Sequence, residues 1–171
     1  MDGENGCPKR KSMRLPAFDY SSAGYYFITV CTRVRSRGVL CPLSQGTVGG
    51  GLCAALPASC LTAVGGTVDG AIRSIPVFNP GWDVDLYCIM PDHIHLIAAL
   101  DTGRDGARPL PDVIGRMKSY TDRQYRALGA PFGPTLWQRG YYDHIIRCRA
   151  DLDETRRYIV NNPLKERDTD G

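Results

Sequence analysis

The sequence predicts a compact α+β sandwich, on three observations. Short apolar runs with strand character lie both before and after segments with helical periodicity. The chain has neither a Gly-rich phosphate loop nor the regular strand–helix alternation that builds a parallel sheet. At 171 residues, with 43% apolar and 23% charged side chains, it has the size and composition of one globular domain. That domain is expected over residues 17–171, preceded by a flexible basic arm at 1–16.

The elements follow in order. Tyr25-Tyr26-Phe27-Ile28-Thr29-Val30-Cys31-Thr32 is β-branched and aromatic, begins after Gly24 and ends at a basic run, which predicts a strand. Residues 38–66 are Gly-rich, with Pro42 and Pro57; short strands near 50–55 and 59–63, joined as a hairpin, are expected there. Residues 68–75 suit a short helix stopping before Pro76. Residues 85–90 and 94–100 are apolar runs around Pro91-Asp92, which predicts two core strands and a tight turn. Val113, Met117, Tyr120 and Gln124 recur at helical spacing within 110–128, and Gly129 ends that helix. A loop and strand over 137–146 lead to a helix over 151–162, with acids in its first turn and Pro163 as its stop.

Composition narrows the function classes. The net charge of +3 is compatible with a nucleic-acid partner but does not establish one. Basic residues cluster in the N-terminal arm, at Arg33, Arg35 and Arg37, and along the 110–128 helix; each cluster also suits a solvated face. No apolar run is long enough to span a bilayer, and the first residues lack the apolar core of a secretory signal. A cytoplasmic protein with no membrane partner is expected. The seven cysteines include no C-x-x-C pair, which reads as scattered reduced thiols rather than a zinc site.

Two of the three histidines form His93-Ile94-His95. On a strand, residues two apart share a face, so both imidazoles project together while Ile94 enters the core. Two neutral imidazoles on one side can grip a metal, though an H-x-H pair also suits two half-buried or exposed histidines. A third ligand must come from elsewhere. On the last helix Tyr158 and Asn162 are four residues apart and so share a face one turn apart. Asn162 could supply the third ligand and Tyr158 a phenol beside it. A core tyrosine and a helix-terminal asparagine are the alternative.

In combination these segments resemble a known family. Tyr87-Cys88-Ile89-Met90-Pro91-Asp92-His93-Ile94-His95 resembles the signature strand of the HUH single-tyrosine transposases. The stretches 136–147 and Arg157-Tyr158-Ile159-Val160-Asn161-Asn162-Pro163 are similar to the REP-associated tyrosine transposase branch, as are Arg14-Leu15-Pro16 and residues 26–32. The likeness covers nearly the whole chain except the Gly-rich stretch at 42–66. It implies a single HUH nuclease domain with a ferredoxin-like sandwich, a central antiparallel sheet and helices on one face. It also implies Mg²⁺ or Mn²⁺ held by His93, His95 and an amide four residues after the tyrosine. That amide is Asn162, where plainer members carry Gln.

The implied activity is cleavage and joining of single-stranded DNA with hairpin (palindromic) ends, by Tyr158 through a 5′-phosphotyrosine. A homodimer is compatible with this. A domesticated hairpin-binding module without catalysis is the alternative. Arg116, Lys118, Ser119 and Arg123 are the expected DNA contacts, lining a groove beside the histidines. Tyr120 and Tyr125 are competing nucleophiles, and His144 could support the site or the fold. A nucleotide hydrolase with an H-x-H-x-H strand is disfavoured by Ile97, and replication initiators and relaxases are normally longer.

Overall fold

A computed structural model describes residues 19–34, 38–42, 47–50, 60–101 and 106–165. The expected N-terminal arm lies outside the described residues. So does most of the expected strand at 50–55.

Among the described residues five strands form one antiparallel sheet: β1 (Gly24–Cys31), β2 (Thr47–Gly50), β3 (Trp82–Ile89), β4 (His93–Leu100) and β5 (Tyr142–Ile146), in the order β2-β3-β4-β1-β5. The α+β class and central antiparallel sheet stand as expected. β1 and β4 occupy the middle of the sheet and pair from Gly24↔Leu100 to Cys31↔His93. Alternation along them sends Tyr26, Ile28, Val30, Ile94, Leu96 and Ala98 to one face. The other face receives Phe27, Thr29, His93, His95 and Ile97. β3 and β4 form the hairpin expected at Pro91-Asp92, where Met90 N donates to His93 O at 2.8 Å.

β3 starts earlier than its apolar run suggests and contains a register shift between Val84 and Leu86. Trp82 and Val84 join the first core, and Leu86, Cys88 and Met90 the second. One extra residue, Asp85, flips the side-chain parity of the strand.

The helices divide between the two faces. α1 (Ala63–Arg73) and α3 (Leu110–Ala127) cover the first. α3 does so through Leu110, Val113, Ile114, Met117, Thr121 and Tyr125, a stripe at helical spacing. α4 (Arg149–Lys165) covers the second face with Leu152 and Ile159, packed among Leu86, Cys88, Met90, Ile97 and Ile146. The expectation of helices on one face therefore does not extend to α4. The middle strands carry apolar side chains on both faces, and each face needs a cover.

Two further boundaries differ from expectation. Of the strand expected at 59–63, the described residues 60–63 form none: Cys60 lies in a 3₁₀ turn, and α1 begins at Ala63. Thr62 is its N-cap, its Oγ1 accepting from Gly65 N at 2.9 Å. β2 instead pairs with β3. α1 ends at Arg73, and Pro76 sits in the first turn of a short α2 (Ile75–Phe78), where its missing N–H is not needed. α4 runs two residues past Pro163 to Lys165, because a proline in a last turn forfeits only one intrahelical bond. Among the described residues, no helix is long and apolar enough to cross a membrane.

Candidate active site

The site is built where β4, β1 and α4 meet. His93 and His95 project from the same face of β4, as their spacing requires, with ring centroids 4.7 Å apart and planes at 75°. Each ring is oriented through Nδ1. His95 Nδ1 lies 2.8 Å from Thr29 Oγ1, its cross-strand partner on β1. His93 Nδ1 lies 2.8 Å from Asp92 Oδ1. With Nδ1–H donating to an oxygen, Nε2 carries the lone pair available to a metal.

His95 is 5% exposed. Burial, with His93 adding, pushes its imidazole down to about 3, so the ring is neutral and suited to ligation.

Tyr158 stands over this pair from α4. Its hydroxyl lies 3.4 Å from His95 Nε2, and its ring meets the His95 ring edge-on at 5.2 Å. Phe27 completes the frame: it stacks on His95 at 5.3 Å and 25° and meets Tyr158 edge-on at 5.9 Å. Tyr158 is 43% exposed, whereas the His95 ring behind it is buried.

The third-ligand question turns on the donor set. Among the described residues, no three of His, Cys, Asp and Glu come together as a possible metal cluster. A third ligand drawn from the described residues would therefore be of another type. Asn162 lies one turn beyond Tyr158, and its amide nitrogen is buried without a hydrogen-bond partner among the described residues. The two ends of an amide exchange places by a half-turn of the group, and that turn would set the oxygen, a hard metal donor, at this unpaired position. In this respect the residues fit a divalent ion.

The other expected site residues sit elsewhere. Arg116, Ser119 and Arg123 are exposed along α3 and line a groove of about 1200 Å³ between α3 and α1–α2. Lys118 donates to Gln138 O at 2.8 Å and Gly140 O at 2.6 Å, holding the loop before β5. The expectation that this basic helix flanks the histidines is corrected. α3 packs on the face bearing Ile94 and Leu96, and strand alternation turns His93 and His95 the opposite way.

Tyr120 lies in the far groove. Tyr125 is 1% exposed in the far core, with its hydroxyl accepting from Phe132 N at 2.9 Å. Neither reaches the histidines. His144 pairs with Asp151 at the start of α4, its Nε2 3.0 Å from a carboxylate oxygen. Sequence reasoning missed Thr29, Phe27 and Asp92. The first two were available as same-face residues of β1, but only the β1–β4 register places them beside His95.

This geometry defines a class. Residues 78–162, about half of the chain, match the family model described as "Transposase IS200 like", and the chain belongs to that family. An uncharacterised protein of Haemophilus influenzae is 28% identical over 177 residues, covering 93% of this chain and 91% of that one. A candidate REP-associated tyrosine transposase of the same organism is 33% identical over 90 residues, covering 46% of this chain and 47% of the relative. Among solved structures, a REP-associated tyrosine transposase bound to a REP hairpin superposes with a TM-score of 0.62 at 21% identity. That match covers 91% of this chain and 73% of the other, and shows a shared fold.

Proposed function

We propose that the protein is a metal-dependent single-stranded DNA endonuclease and strand transferase with Tyr158 as nucleophile. The observation that carries this reading is the Tyr158 hydroxyl 3.4 Å from His95 Nε2, with His93 beside it on the same face. Family membership and the fold shared with a hairpin-bound transposase support single-stranded DNA with hairpin ends as the substrate.

His93, His95 and Asn162 would hold Mg²⁺ or Mn²⁺. Such an ion, when bound, polarises the scissile phosphate and neutralises developing charge. Tyr158 Oη forms a bond to phosphorus as the bond from phosphorus to the 3′ oxygen breaks. The phenol gives up its proton, and the departing 3′ oxygen takes one up. The phosphodiester energy is kept in the 5′-phosphotyrosine, so another 3′-hydroxyl can reverse the step without ATP.

Phenol, with an ordinary pKa of about 10, needs activation near neutrality. Thr29 and Asp92 orient the imidazoles, and Phe27 keeps water from one side of His95. Arg116, Ser119 and Arg123 suit phosphate contacts away from the reacting strand, whereas Lys118 is committed to two carbonyls. Tyr158 and the histidines come from one chain, so this site needs no helix exchanged with a second copy.

Cleavage of a hairpin-flanked single strand is the test. His93→Ala and His95→Ala should each abolish Mn²⁺-dependent cleavage while hairpin affinity changes little, because phosphate contacts dominate binding. Undiminished cleavage by either variant in chelator would contradict the metal assignment. Tight hairpin binding with no cleavage by the unaltered protein would favour a silent binding module.

A further inference from the structure

α4 carries the proposed nucleophile, and over residues 149–162, where its side chains are described, few apolar groups hold it to the sheet. The buried apolar side chains there are Leu152 and Ile159, seven residues apart, with Thr155 between them. Against such a stripe a directional polar contact adds constraint on sliding and rotation. Arg156, two residues before Tyr158, supplies one. Its Nε lies 2.8 Å and its Nη2 2.6 Å from the two carboxylate oxygens of Asp85 on β3. The side chains are 28% and 11% exposed, whereas the Arg149–Asp153 pair on the same helix is 80% and 46% exposed.

The fork-to-fork geometry fixes direction as well as distance. Asp85 is also the extra residue of the β3 register shift, between Val84↔Ala98 and Leu86↔Ile97. The shift delivers a carboxylate to the α4 side immediately beside Leu86, which packs in the α4 core.

We propose that the Asp85–Arg156 pair is a positioning device that sets the place of the Tyr158 hydroxyl over the histidine pair. It rests on the reading of Tyr158 as nucleophile. Arg156 acts through α4: the fork pins the turn preceding Tyr158, and the tyrosine ring is thereby held edge-on to His95 and Phe27. Losing that hold displaces the oxygen without removing any group that touches DNA, and a displacement on the order of 1 Å in a reacting atom costs roughly 100-fold in rate.

The test uses the full chain with a hairpin-flanked single strand and Mn²⁺, in single-turnover mode at saturating DNA. Asp85→Asn and Arg156→Lys each keep side-chain size but lose the paired fork. Each should slow covalent adduct formation about 10- to 100-fold, with hairpin affinity unchanged. The exchange D85R/R156D should restore a large part of the rate. A second readout is independent of activity. In protein carrying ¹³C-labelled tyrosine rings, with Tyr158 assigned through Tyr158→Phe, its ring signal should move toward an unstacked position in both single variants and back in the exchange.

Rates within about twofold of the unaltered protein, with an unmoved ring signal, would overturn the proposal. So would equal losses in both single variants and the exchange with the ring signal in place. If the unaltered protein forms no adduct, the nucleophile reading fails, and the ring signal alone then decides whether the pair places Tyr158.

Discussion

Replacing Thr29 by Val tests how the histidine pair is held. The change is nearly isosteric, keeps the β-branch that suits β1, and removes the one atom that meets His95 Nδ1 at 2.8 Å. His95 is 5% exposed, so water does not easily replace the lost partner. A buried ring nitrogen left unpaired costs about 1–3 kcal/mol of stability. Outer-shell partners of metal-binding histidines are worth about 10- to 100-fold in metal affinity. That corresponds to about 1.4–2.8 kcal/mol.

The assay is Mn²⁺ titration of single-strand cleavage. Thr29→Val should raise the half-saturating metal concentration by about 10- to 100-fold and leave hairpin affinity in chelator unchanged. Thr29→Ser, which keeps the hydroxyl, should stay close to the unaltered protein. An unshifted titration in a folded Thr29→Val protein would refute the view that this hydroxyl sets the ligating nitrogen.

Other expectations concern the scaffold. A Cβ at Gly65 would lie 1.9 Å from the Leu40 carbonyl oxygen, so Gly65→Ala should cost about 1–3 kcal/mol or more in denaturant unfolding; an unchanged midpoint would contradict the close approach of α1. The folded-state pKa of His95 is depressed to about 3, below the ordinary value near 6.5, so on acidification the unfolded chain takes up this proton first. In chelator its contribution is complete above about pH 6.5 and is lost as pH falls toward 3, at up to about 1.4 kcal/mol per pH unit. Unfolding free energies measured across that range should show a slope that His95→Gln reduces, and an identical slope in the variant would exclude this source.

Much of the site was legible because it depends on local periodicities. The two-residue spacing of His93 and His95 put them on one face, and the four-residue spacing of Tyr158 and Asn162 did the same on α4. β1 was equally plain, with its alternating Tyr26, Ile28 and Val30. What sequence could not supply were relations between elements. Nothing in the β3 run announces that Asp85 is an extra residue, and without it the parity of Leu86, Cys88 and Met90 comes out reversed.

The assignment of α3 to one face and α4 to the other follows from which strand face meets which stripe. That is why the arginines of α3 were expected beside histidines they do not approach. α1 was misread for a different reason. Gly65, Gly66 and Gly70 lower its helix propensity, yet Gly65 is required by the Leu40 backbone against it. The Thr62 cap before Ala63-Val64 was the available signal and went unused.

The central claim is that Tyr158 is the nucleophile, and the location of the covalent bond tests it most directly. A labelled hairpin-flanked single strand is incubated with protein and Mn²⁺, and the adduct is digested and mapped by peptide mass. The adduct should fall on the peptide containing Tyr158 and be absent from Tyr158→Phe. That substitution removes an oxygen 3.4 Å from His95 but leaves a ring, already 43% exposed, in place. An adduct on the peptide containing Tyr120 or Tyr125, or one that persists in Tyr158→Phe, would contradict the account.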